Sequence, residues 1–148
     1  MYKGKGGRAP VKEAYNPTDP QFLAPDGTQT IFERFGYSAA RRAGDFIYIS
    51  GQIGLAPDGS IPKDADTQIR CAFDRLGLVL ASAGANFDDL IELVSYHVGL
   101  SSHLSRFVEI KRDYVPEDPP PAWTILEVAG LARPGLIIEL KAVAYRPN

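Results

Sequence analysis

Apolar positions along this chain change period several times, and each change marks an element. Ile69, Phe73, Leu76, Leu80 and Ala83 recur at spacings of four, three, four and three, the repeat of one face of a helix. Asp64 or Asp66 stands where its N-cap belongs, and Gly84 where a glycine stop belongs. The other face, with Arg70, Asp74 and Arg75, reads as solvated surface. Upstream, Phe46-Ile-Tyr-Ile-Ser is β-branched and aromatic, the composition of a strand. It pairs with Tyr37–Arg42 in a hairpin across Ala43-Gly44-Asp45. Gly51 and Gly54 bracket Gln52-Ile53, and Pro57-Asp58-Gly59 is a further turn.

Downstream, Phe87–Leu90 is a connector and Ile91–Leu100 a strand carrying Val94, Tyr96 and Val98. Ser101 or Ser102 is positioned to cap a second helix, with Leu104, Phe107, Val108 and Lys111 on or beside its inner face. Tyr114 lies near its end, and Pro116 stops it. Pro119, Pro120 and Pro121 fix a stiff entry that delivers Trp123, the single tryptophan, to a strand over Trp123–Val128. A last strand spans Leu136–Tyr145. In it Leu136, Ile138, Leu140, Ala142 and Ala144 point one way, while Ile137, Glu139, Lys141, Val143 and Tyr145 point the other. The small apolar set suits packing under helices. The mixed set suits a face that meets another subunit. The order strand, strand, helix, strand, helix, strand, strand predicts an α+β sandwich with two helices on one face of a mixed sheet. Residues 1–34, with four prolines, read as an irregular N-terminal arm. A short strand over Thr28–Phe35 leads from it into one domain spanning 35–148.

Composition changes this picture little. At 148 residues the chain is long enough for one real core. A net charge of −2 and a pI near 5.7 argue against a phosphate-tracking surface, so no nucleic-acid partner is expected. One cysteine, Cys71, excludes an intrachain disulfide and a cysteine-rich metal site. No apolar run reaches the roughly 18 residues needed to span a membrane. The N-terminus has no apolar core of a secretory signal. A soluble, cytoplasmic protein is the expectation. There is no glycine-rich phosphate loop, no His-Glu-x-x-His and no metal-spaced ligand cluster.

A few residues invite chemistry. Glu139, between Ile137 and Lys141, is costly to bury unpaired. It is either half of a structural ion pair, with Lys141 or an arginine, or a carboxylate of raised pKa that handles water. Ser50-Gly51 ends a strand in a glycine turn, either a plain strand exit or a place where a ligand approaches the backbone. His97 reads as a satisfied or interfacial histidine, His103 as a surface residue and Cys71 as a buried thiol.

Taken in order, several segments resemble the Rid family, also called YjgF/YER057c/UK114. They are Gly36-Tyr37-Ser38 with Ala43-Gly44, Phe46-Ile-Tyr-Ile-Ser-Gly-Gln-Ile, Gln68 with Ala81-Ser-Ala-Gly-Ala, Pro121-Ala122 with Glu127-Val-Ala-Gly-Leu131, and Ile138-Glu-Leu with Ala142-Val-Ala. The likeness covers roughly residues 35–146. It implies a chorismate-mutase-like fold and a homotrimer with an inner barrel and ligand clefts between subunits. It also implies a cofactor-free reaction, in which water adds to an imine formed from an enamine and the carbinolamine collapses to a keto acid and ammonia. By the same resemblance Tyr37 matches a pocket tyrosine, Ser50 and Gly51 line the cleft, and Glu139 orients water.

The chain departs from the pattern at one place. Trp123 stands where the family's carboxylate-gripping arginine follows Pro-Ala, with Ile125 at a frequent cysteine and Val108 at an asparagine. An indole offers one neutral donor and a wide apolar face, not a bidentate cation. Three outcomes follow. Arg41, Arg42 or Arg133 reaches the cleft, the substrate is flatter and stacks on Trp123 beside Thr124, or the cleft only binds. The leading expectation is a divergent imine or enamine deaminase with Glu139 and Tyr37 as catalytic residues. A non-catalytic binding protein is the alternative, and a ribonuclease or translation inhibitor ranks third.

Overall fold

The structure is a computed structural model and describes residues 21–23 and 34–147. Its main elements among these residues are β1 (Gln21–Leu23), β2 (Ala40–Ala43), β3 (Phe46–Ile53), α1 (Ala65–Ser82), β4 (Leu90–His97), α2 (Leu104–Arg112), β5 (Ala122–Glu127) and β6 (Ile138–Tyr145). The strands form one six-stranded sheet in the order β1-β2-β3-β6-β4-β5. All pairings are antiparallel except β4 with β5, which run parallel. The α+β sandwich read from the sequence is therefore the observed fold.

β6 is the organising strand, lying between β3 and β4. Its Ile138, Leu140, Ala142 and Ala144 are buried, as the alternation required. They meet Ile47 and Ile49 of β3, Leu93 of β4, Ile69, Phe73, Leu76 and Leu80 of α1, and Phe107 and Ile110 of α2. Small alanines on the last strand let α1 approach the sheet closely. α1 starts at the expected Asp64, whose carboxylate accepts from the Thr67 amide at 2.8 Å, satisfying a donor at the exposed helix end. It ends before Gly84 at φ +73°, a conformation glycine adopts without steric cost.

Four expectations needed correction. Neither Ser101 nor Ser102 caps α2: Leu100–Ser102 form a 3₁₀ turn, and the cap position is His103, with no side-chain capping bond. Ser102 Oγ instead donates back to the Gly99 carbonyl at 2.7 Å. His103 is buried rather than a surface residue, because that turn tucks its ring under α2. Cys71 is half-buried, and burial raises its thiol pKa, which keeps it protonated and unreactive. The expected strand over Thr28–Phe35 lies mostly outside the described residues, and its last two, Arg34 and Phe35, are helical.

Candidate active site

On the sheet face away from the helices, β3 shifts register against β6 between Ile49 and Gln52, then resumes with Gln52 opposite Leu140 and Ile53 opposite Glu139. Gly51 sits in that irregularity. A Cβ there would collide with the Glu139 carboxylate, so the glycine is what allows the carboxylate to lie across the strand. The two line a concavity of about 350 Å³ together with Tyr96, Val128, Gly130 and Lys141. A neighbouring concavity of about 490 Å³ is lined by Ser38, Arg41, Tyr48, Ser50 and Lys141. Lys141 is common to both, so they form one trough along the outer face.

The counter-ion anticipated for Glu139 is not Lys141. Lys141 Nζ turns to Glu92 of β4 at 3.1 Å, because register places Val94 rather than a charged group directly opposite Lys141 and leaves Glu92 within reach. Among the described residues no arginine is paired with Glu139. Arg42 is tied to the Arg146 and Ala83 carbonyls and Arg133 to the Gly59 carbonyl, while Arg41 lines the second concavity. Among the described residues Glu139 makes no hydrogen bond or ion pair within the chain. Its pKa is raised, and the cause is burial. Burial of this kind makes a carboxylate a stronger proton acceptor than an exposed one.

The structure brings only part of the anticipated set together. Ser50 borders the trough, its Oγ donating to the Ser38 carbonyl at 2.6 Å. Thr124 lies on the same outer face, in register with Val94. Trp123, one residue earlier, necessarily points to the helix side. There its Nε1 donates to the buried Ser95 Oγ at 3.0 Å, its ring lies 5.7 Å from Phe107, and Lys111 Nζ sits 5.2 Å from its centroid. Trp123 and Glu139 thus occupy opposite faces of one sheet. Tyr37 precedes β2, is exposed and interacts electrostatically with Arg75 of α1.

Sequence reasoning passed over Tyr96 and Lys141 as trough-lining groups. Alternation put Lys141 beside Glu139, but pairing of Tyr96 with Glu139 requires the β4–β6 register. It also missed a buried histidine pair. His97 Nδ1 and His103 Nε2 are 3.0 Å apart, with Phe107 edge-on against the His97 ring. His97 Nε2 is buried without a partner. A bare lone pair there costs less than an orphaned N–H, so the fitting tautomer has His97 Nδ1–H donating to His103 Nε2. His103 then carries its proton on Nδ1, 3.4 Å from Ser102 Oγ. Burial, with His103 nearby, lowers the His97 pKa to about 4, so the pair is neutral at pH 7.

Comparison with known proteins places this geometry. The family described as Endoribonuclease L-PSP matches residues 28–146, most of the chain. The chain belongs to that family, the YjgF or Rid group. It is 37% identical over 124 residues to the RutC family protein YjgH of Escherichia coli K12, covering 84% of this chain and 93% of the relative. The solved structure of protein YJGH superposes with a TM-score of 0.78 at 35% identity, covering 87% of this chain and 98% of that one. The 2-iminobutanoate/2-iminopropanoate deaminase of Mus musculus is 30% identical over 112 residues, 74% of this chain and 81% of the relative. Among the described residues of this Rid-family chain, no group of three or more His, Cys, Asp or Glu side chains is placed to hold a metal ion. No described helix is long and apolar enough to cross a membrane.

Proposed function

We propose that this Rid-family chain is a divergent, cofactor-free deaminase that hydrolyses an imine, or the enamine from which it forms, of a small metabolite in the cytoplasm. One observation carries the reading: the half-buried Glu139 carboxylate has no partner among the described residues, has a raised pKa and lies over the only residue type that could leave room for it, Gly51. In this reaction the carboxylate orients a water and accepts one of its protons as the oxygen bonds to the imine carbon. The proton passes to nitrogen, giving a carbinolamine. Loss of ammonia from that carbon leaves the carbonyl, so one water is consumed and one ammonia released. The activity in the printed name of the mouse relative supports this reaction class.

The same reading makes the active unit a homotrimer with clefts between subunits. Trp123 and Glu139 point away from each other across one sheet, so only a second copy can bring one against the other. The outer face also exposes Phe46, Tyr48, Leu126 and Tyr145, the kind of apolar surface that subunit contacts cover. Tyr37 and Thr124 are assigned to the rim of that cleft.

The test is ammonia release from 2-imino acids generated in situ, with light scattering to follow assembly. Glu139→Gln should lower turnover roughly 100-fold or more with assembly unchanged. Full activity in that variant would remove Glu139 from the mechanism. Saturable binding without turnover in the native protein would favour the non-catalytic alternative.

A further inference from the structure

Imine hydrolysis needs a proton donor as well as a proton acceptor. When a carbinolamine collapses, its nitrogen must gain a proton to leave as ammonia while its hydroxyl loses one. A carboxylate that has just passed its proton to nitrogen can accept from the hydroxyl but has none to give. The donor has to be a second group on the same wall of the trough.

Strand register puts one there. Tyr96 of β4 stands directly opposite Glu139 of β6 and opposite Leu126 of β5. Opposed residues share a face of the sheet, with Cβ atoms about 5 Å apart, so the phenol ring lies beside the carboxylate on the outer face. Both line the concavity of about 350 Å³. Tyr96 is half-buried, and among the described residues nothing hydrogen-bonds its hydroxyl, which leaves the O–H to face a bound molecule. Other proton carriers are placed elsewhere. Lys141 Nζ is held by Glu92 at 3.1 Å. Tyr114 donates to Asp74 of α1 at 3.0 Å. Tyr48 lines the neighbouring concavity, and Tyr37 interacts with Arg75 of α1, on the helix side of the sheet.

We infer that Tyr96 is the general acid of the reaction, giving its phenolic proton to the leaving nitrogen beside Glu139. The inference rests on the Glu139 reading and adds the second half of the proton path. In the collapse the C–N bond breaks and its electron pair goes to nitrogen, which takes the Tyr96 proton. The hydroxyl proton passes to Glu139 as the C=O bond forms. Glu139 then hands that proton across the strand pair to the Tyr96 oxygen. Ammonia and the carbonyl compound leave, and both side chains end as they began.

The test compares native protein, Tyr96→Phe, Tyr96→His and Glu139→Gln in ammonia release from 2-imino acids generated in situ, with light scattering to check equal assembly. Tyr96→Phe should lower kcat roughly 100-fold and move KM by no more than about twofold. Its deficit against the native protein should shrink as pH falls from about 9 to about 6, because solvent acid replaces the missing donor. Tyr96→His keeps a donor and should recover about tenfold of the loss. Unchanged kcat in Tyr96→Phe, or a deficit that is the same at every pH and not recovered by histidine, would overturn the assignment. Full activity in Glu139→Gln would instead overturn the reading beneath it. An inactive Glu139→Gln beside a fully active Tyr96→Phe leaves that reading standing and removes Tyr96 alone.

Discussion

Replacing His97 by asparagine should flatten the dependence of folding stability on pH between 6.5 and 4. His97 is fully buried, and its pKa falls from 6.5 to about 4, first because burial penalises the charged ring and second because His103 faces it. In the unfolded chain the ring takes up a proton near pH 6.5. In the folded protein it stays neutral until pH 4. Between those values the unfolded state binds more protons, so stability falls as pH falls. The contribution is fully present above pH 6.5 and is lost as pH drops toward 4. At roughly 1.4 kcal/mol per pH unit this amounts to about 3 kcal/mol. Glu139 works in the opposite sense: its raised pKa makes the folded state hold a proton longer, so it favours folding at low pH. The informative quantity is therefore the difference between native protein and His97→Asn at each pH, which removes the Glu139 contribution and that of other shared groups. Asparagine keeps a polar atom near the former Nδ1 and does not titrate. Urea unfolding from pH 7.5 to 4 should show the two curves converging by about 3 kcal/mol as pH falls. Parallel curves would mean that the buried pair does not stay neutral.

Further outcomes follow from the trough and its supports. Gly51→Ala should lower ammonia release at least tenfold or so through displacement of the Glu139 carboxylate, while the urea midpoint moves little because the colliding group is the far end of a flexible side chain. Gln68→Ala should destabilise the fold by about 3 kcal/mol in urea unfolding. Its buried amide donates to the Pro62 and Gly135 carbonyls and accepts from the Ile137 amide at 2.6 Å, which fixes the entry to β6. A loss below about 0.5 kcal/mol would show that water replaces those bonds readily.

Local chemistry settles much of this protein before any folding is considered. The four-three repeat from Ile69 made α1 and chose its buried face, Asp64 supplied the cap, and Gly84 the stop. Alternation in β6 separated Ile138, Leu140, Ala142 and Ala144 from Glu139 and Lys141, because successive side chains of a strand point to opposite faces whatever the strand pairs with. Glu139 and Gly51 were both visible as candidates for the same reason: a carboxylate amid apolar neighbours and a glycine at a strand end are local anomalies.

What the sequence left open was everything that depends on parity and register between distant strands. Insertion of β6 between β3 and β4 set Glu139 against Gly51 and Tyr96, and it gave Lys141 to Glu92, which left Glu139 without a partner among the described residues. Parallel pairing of β5 with β4 turned Trp123 toward Ser95 and Lys111 and away from Glu139. A shift of one residue in that pairing would reverse both assignments. The 3₁₀ turn before α2 buried His103 against His97, a contact between residues that looked like an exposed cap region and a strand end. Composition and periodicity act within about one helical turn or one strand pleat. Counter-ions, tautomers and the face that a tryptophan presents are decided by groups that only the assembled sheet brings within hydrogen-bond distance.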